Sequence, residues 1–178
     1  MINSLDMKNS VSSEMQLIVV FGVSGCGKTT LGAALAKALA ASFMDADDFH
    51  SSENVAKMRI GTALSDADRA PWLTTLNSEI RLRLSAGQSV VMACSALKLA
   101  YRQAISAGLS KVDWIFLDGS FDAVAGRLRE RENHYMPESL LRSQFDALER
   151  PDDAIRVSIE LSPAGQLAAA LTALHVKP

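Results

Sequence analysis

Gly22-Val-Ser-Gly-Cys-Gly-Lys28-Thr29 stands directly after the apolar run Leu17-Ile18-Val19-Val20-Phe21, and that order decides the fold. A strand, a glycine-rich turn and then a helix start is the context that a phosphate-binding P-loop requires. The glycines let the backbone curl until successive amide N–H groups point inward, and the helix beginning at Lys28 adds its positive dipole end, so a triphosphate finds a ready anion nest. In this reading Gly22, Val23, Ser24, Gly25, Cys26 and Gly27 line the nest and Lys28 reaches the β- and γ-phosphates. Thr29 offers a hydroxyl to Mg²⁺ and Thr30 a second one near the α-phosphate. The stripe Leu31, Leu35, Leu39 gives the following helix an apolar face that a chance glycine-rich turn would lack.

Length and composition bound the rest. The 178 residues suit one domain with a substantial core, and a hydrophobic share of 48% with a formal charge of −2 describes an ordinary globule without the basic excess of a nucleic-acid binder. No stretch is long enough to span a membrane. Residues 1–14 are polar, without an apolar segment of the secretory type, and read as a disordered tail before one domain over 15–178. Cys26 and Cys94 lack metal-ligand spacing and read as free thiols, which points to the cytoplasm.

Short apolar runs alternate with helical patterns, the signature of an α/β domain with a mainly parallel sheet of about five strands flanked by helices. The strands are expected at Leu17–Phe21, Ser42–Asp45, Ser89–Ala93, Trp114–Leu117 and Arg156–Ile159. Helical patterns run over Lys28–Ala41 and Leu97–Ala107 and through Leu73/Leu76/Ile80/Leu84, Phe121/Val124/Leu128, Leu141/Phe145/Leu148 and Leu167/Leu171/Leu174. Ser162 and Pro163 supply the cap and first residue of the last helix.

A P-loop alone does not name an acceptor, since GTPases, motors and transport ATPases share it. The second strand ends in Asp45-Ala46-Asp47-Asp48-Phe49-His50, placing alternate carboxylates at the edge where ligands of open α/β sheets bind. Magnesium favours carboxylate oxygens and an alcohol acceptor needs a base, so Asp45 is assigned to the metal side and Asp47 to the acceptor proton. The alternative is an acidic helix start that only caps the segment to Arg59. Asp118, at the end of Trp114-Ile115-Phe116-Leu117, mimics a second metal-binding carboxylate but precedes Gly119 and reads as a turn residue, with metal binding through water as the alternative. From about 127 to 151 a helical lid is expected. Arg127 and Arg131 share one helical face and are candidates for nucleotide and phosphate contacts, Arg131 as a catalytic charge, while Arg129 points away. His134 either joins them or packs at the lid hinge.

The string from Asp45 through His50, Asn54, Lys57-Met58, Gly61, Leu64, Asp66, Asp68-Arg69 and Pro71-Trp72-Leu73 resembles the gluconokinases of the thermoresistant type, within the shikimate-kinase-like P-loop kinases. Cys94-Ser95-Ala96-Leu97-Lys98 with Tyr101-Arg102 is similar to a second block of that family. His134-Tyr135-Met136-Pro137 with Leu140-Leu141, Ser143-Gln144-Phe145, Leu148-Glu149 and Pro151 is similar to a third. The resemblance implies the P-loop NTPase fold and transfer of the ATP γ-phosphoryl group, with Mg²⁺, to the 6-hydroxyl of D-gluconate by a cytoplasmic enzyme that is often a homodimer. Two departures are Ala46, where relatives often carry Gly, and Ser51, where they commonly carry Pro; Ser51 is expected to leave the backbone after His50 less fixed.

Gluconate carries one carboxylate and a row of hydroxyls. Arg69, Lys57, Asn54, Asp47 and His50 supply cations, an amide, a carboxylate and an imidazole for it, with the planar fork of Arg69 the first choice for the acid. The bland reading puts Asp66, Asp68 and Arg69 in a solvated first helical turn, with Ser65 and Asp68 as a capping box. Lys98 meets phosphate or the sugar-acid carboxylate, or is an exposed lysine. Fold analogy puts adenine near Leu161-Ser162-Pro163. Shikimate kinase, or an ATP-holding regulatory module without catalysis, are the competing functions.

Overall fold

The computed structural model describes residues 15–130 and 137–175. Leu17–Phe21 (β1), Ser42–Asp45 (β2), Val90–Cys94 (β3), Val112–Asp118 (β4) and Ile155–Ser158 (β5) form one parallel sheet in the order β2-β3-β1-β4-β5. Every residue of β1 and β3 is buried, which explains why these strands read as unbroken apolar runs: both faces of a central parallel strand are covered. The helices are Lys28–Ala38 (α1), Ser52–Arg59 (α2), Asp66–Ser85 (α3), Leu99–Ser106 (α4), Phe121–Arg129 (α5), Glu138–Ala147 (α6) and Pro163–His175 (α7). Among the described residues none is long and apolar enough to cross a membrane.

Alternation along β1 divides the core. Ile18 and Val20 pack with Leu31 and Leu35 of α1, Val124 of α5, Leu141 of α6 and Ala170 of α7. Leu17, Val19 and Phe21 face the other way, onto Trp72, Leu76 and Ile80 of α3 and Tyr101 and Ile105 of α4. Adjacent strands β1 and β3 therefore send their following helices to opposite faces, and a crevice opens at their carboxyl ends, where open α/β sheets bind ligands. The Gly22 N–H donates across it to the Ser95 carbonyl at 3.4 Å.

The first helix stops three residues short of the expected Ala41. Ala40 takes a left-handed φ of 52°, turning the chain into β2. Helix α2 shows no apolar period, because its sequence SENVAKMR holds too few apolar residues, and it ends at Arg59, where the alternative reading of the acidic stretch ended its segment. Its start is set by Ser51, whose side chain accepts from the Asn54 N–H at 3.2 Å. Ser51 sits at φ −63°, the angle a proline would impose, and its side-chain cap holds the start of α2 in the place of a proline ring. The last helix starts as read, with Ser162 Oγ accepting from the Gly165 N–H at 3.2 Å.

Helix α3 opens with the Ser65/Asp68 capping box, in which the Asp68 N–H donates to Ser65 Oγ at 3.1 Å and the Ser65 N–H to Asp68 Oδ2 at 2.9 Å. Lys57 Nζ adds a 2.6 Å bond to Asp68 Oδ1, and with the Ser65 bonds it pulls the Asp68 carboxyl down to about 2. A carboxylate held below its unfolded value stabilises the fold above that value and loses its contribution as pH falls toward the folded one. Asp68→Asn should therefore be less stable than the wild type at neutral pH, with the gap shrinking as urea unfolding is repeated down through the carboxylate range toward about 2. A gap independent of pH would contradict this.

Candidate active site

The P-loop occupies the turn between β1 and α1. Gly27, the residue before the helix, has φ 104°, and Gly25 has φ 83° with so little room that a Cβ would lie 2.7 Å from Leu128 Cγ, so glycine is required at both. Val23 and Cys26 are buried, and burial pushes the Cys26 thiol up, so these residues offer the cradle their backbone rather than reactive side chains. Lys28 Nζ donates to the Val23 carbonyl at 3.0 Å, bending its ammonium over the loop's leading limb. Thr29 and Thr30 are both exposed.

Thr29 Oγ1 donates to Asp45 Oδ2 at 2.9 Å. A hydroxyl and a carboxylate brought together beside a phosphate loop are the hard oxygen donors that magnesium takes, so the residues present fit that ion. Asp47 reaches the same edge by another route than a period of two. The strand ends at Asp45, whose Oδ1 accepts the Asp47 N–H at 3.2 Å and caps a short 3₁₀ turn over Ala46–Phe49. The extended geometry expected through Asp47 is thus replaced by a tight turn. Burial in the recess pushes the Asp47 carboxyl up, opposed by the positive charge of Lys28. Three quarters of that side chain is nevertheless open to water, which limits the effect.

His50 lies behind Asp47, its Nε2 4.0 Å from Asp47 Oδ1. Its ring stacks on Trp72 at 4.3 Å between centroids, and Trp72 is fixed by donating Nε1–H to the Ala46 carbonyl at 2.8 Å. Trp72 is thus a buried floor for the imidazole. The His50 side chain is 5% exposed, burial lowers its pKa, and its Nδ1 is buried without a hydrogen-bond partner. A neutral imidazole with one unmatched nitrogen is a group awaiting a polar ligand.

The other acceptor candidates are engaged with protein. Asn54 is buried and donates Nδ2–H to the Asp68 carbonyl at 2.9 Å, Lys57 pairs with Asp68, and Lys98 pairs with Asp66 at 2.8 Å. Tyr101 donates its hydroxyl to the same Asp66, and the charges of Arg69 and Lys98 both lie 5.5 Å from its ring. Arg69 donates to the Leu64 carbonyl, and its charge helps hold down the pKa values of both His50 and Asp66. Asp118 forms an ion pair with Arg150 at 2.7 Å.

On the lid side, Arg127 is half-buried beside the P-loop and donates to the Ile159 carbonyl, while Arg129 is exposed. Arg131 and His134 lie outside the described residues. Sequence reading assigned no role to Arg102, Gln144 or Glu149. Arg102 is buried and donates to the carbonyls of Ala96, Leu97 and Glu149, tying the turn after β3 to the end of the α6 segment, where the Glu149 side chain accepts the Leu99 N–H. Gln144 bonds Ser24 of the P-loop. All three fall within stretches of family resemblance, the one signal that pointed at them.

The description of the shikimate kinase family matches residues 24–152. The chain is similar to the gluconokinase of Arabidopsis thaliana, 42% identical over 174 residues that cover 89% of this chain and 91% of that protein. Among solved structures it is similar to an unliganded sugar kinase from Janibacter sp. HTCC2649, with a TM-score of 0.85 and 42% identity over 92% of this chain and 96% of that one. A gluconokinase from Sinorhizobium meliloti 1021 gives a TM-score of 0.83 and 37% identity over 91% of this chain and 93% of that one.

Proposed function

The chain belongs to the gluconokinases within the shikimate kinase family, and from that premise we propose that it transfers the γ-phosphoryl group of ATP to the 6-hydroxyl of D-gluconate, giving 6-phosphogluconate and ADP. The observation that carries this reading is the end of β2, where Asp45 is bonded to Thr29 of the P-loop and Asp47 stands one turn beyond, largely open to water with His50 beside it. A passive nucleotide holder has no use for that second carboxylate or for the unmatched His50 nitrogen behind it.

In the proposed reaction the P-loop amides other than that of Ser24, which is held by Gln144, bind the phosphates, and Lys28 leaves the Val23 carbonyl to follow the charge growing between the β- and γ-groups. Magnesium bound beside Thr29 and Asp45 would neutralise phosphate charge. Asp47 takes the proton of the 6-hydroxyl as its oxygen attacks phosphorus and the bond from phosphorus to the β-side oxygen breaks. His50 Nδ1 and Arg69 are assigned to the gluconate hydroxyls and carboxylate. Asn54, Lys57 and Lys98 reach the acceptor only by sharing or leaving their present partners. Arg127, with Arg131, is assigned to the phosphates under a closing lid over about 127–151. The two free, buried cysteines favour a cytoplasmic setting.

ADP release measured against a panel of sugar acids, neutral sugars and shikimate tests the substrate. Gluconate should be the preferred acceptor, and turnover of another compound with none of gluconate would overturn the assignment.

A further inference from the structure

Gln144 of α6 grips the P-loop from 120 positions away in the chain. Its Oε1 accepts the Ser24 N–H at 2.7 Å, and its Nε2 donates to Ser24 Oγ at 3.0 Å. The orientation of the amide is fixed by chemistry: a backbone N–H can only donate, so the oxygen must face it and the NH₂ must face the hydroxyl. Ser24 Oγ is thereby an acceptor, and its single proton is left to donate elsewhere.

Where that proton can go follows from the limb that carries it. Ser24 succeeds Val23, whose carbonyl holds the Lys28 ammonium, and Lys28 is the P-loop group that reaches the β- and γ-phosphates. Gly25 succeeds Ser24 and is packed under Leu128 of α5, so the limb is held between α5 and α6. With its N–H committed to Gln144, Ser24 does not add that amide to the phosphate cradle. Its contribution to a nucleotide is the hydroxyl.

We propose that Gln144 is a positioning residue that turns the Ser24 hydroxyl toward the terminal phosphoryl group, so that this pair distinguishes a nucleoside triphosphate from a diphosphate and links that distinction to helix α6. The proposal rests on the kinase reading only in requiring that ATP binds. Linkage makes it reciprocal: whatever fixes α6 over the P-loop strengthens the triphosphate contact, and the triphosphate fixes α6.

Titration calorimetry of the whole chain with a non-hydrolysable ATP analogue and with ADP, each with magnesium, tests it on Ser24→Ala, Gln144→Met and the double variant. Each single change should weaken the analogue about ten- to a hundredfold, the worth of a hydrogen bond to a charged group, while ADP affinity stays within about twofold. The double variant should be no weaker than the worse single one, because both remove the same contact. Equal weakening of ADP and the analogue would mean that the pair only shapes the loop, and unchanged affinities or additive losses would likewise overturn the proposal. Ser24→Ala keeps the backbone N–H bond and decides the question if Gln144→Met does not fold. No sugar acid is used, so a failure here is separate from failure of gluconate in the acceptor panel.

Discussion

Lys28→Ala should lower turnover by about 10³ or more while the protein stays folded, because the lost charge is one that strengthens as the γ-phosphoryl group departs. The ammonium sits against the Val23 carbonyl, inside the turn that the nucleotide must fill, and is part of no hydrophobic cluster. Removing it costs the loop one hydrogen bond from a charged donor, worth about 1.5–3 kcal/mol, so stability changes far less than catalysis. The check is a native circular dichroism spectrum and melting temperature beside a collapsed rate of ADP production with gluconate. A folded variant with near-normal rate would remove Lys28 from the mechanism.

What the sequence revealed and what it hid divide along the range of the interactions. The strand, loop and helix around Gly22–Thr29 were legible because each step is local: an apolar run, glycines where φ is positive, and a helix start. The Ser65/Asp68 box was legible for the same reason, and so was the cap at Ser162. Asp45 and Asp47 were placed at the correct edge from their position after a strand, but the turn that separates them was not read, since it depends on Asp45 capping the chain back onto itself. Helix α2 was legible only as the alternative to a metal site, because packing and a cap, rather than an apolar stripe, hold it: Asn54 reaches α3 through the Asp68 carbonyl. The reach of Lys57 and Lys98 into Asp68 and Asp66, the Arg102 clamp and the Gln144 grip join residues up to 120 positions apart. No pattern of spacing contains such pairs, so only the folded chain displays them.

Asp47→Asn should depress kcat by roughly 10²–10⁴ with little change in ATP affinity, the range expected when a general base is lost. The amide keeps the shape and can still hydrogen-bond the hydroxyl, yet it cannot take the proton. Loss of stability cannot explain such a fall. Burial raises the Asp47 pKa, so the fold disfavours the ionised form, and a neutral side chain should leave stability unchanged or slightly raised at neutral pH. The same shift gives the pH dependence its sign: kcat should fall on acidification as Asp47 takes up a proton, with the midpoint above the ordinary carboxylate range, and Asp47→Asn should lack that limb. Asp45 differs in its partners, since one oxygen already holds the Thr29 hydroxyl and the other the Asp47 N–H. Asp45→Asn should therefore raise the magnesium concentration needed for half-maximal rate more than it lowers the rate at saturating magnesium. Measuring kcat against pH and against magnesium for both variants separates the two duties. If Asp47→Asn shifts the magnesium requirement and Asp45→Asn does not, the roles are exchanged; if neither matters, Asp118 must be released from Arg150 to serve the metal, and Arg150→Ala should then alter the magnesium requirement where neither aspartate did.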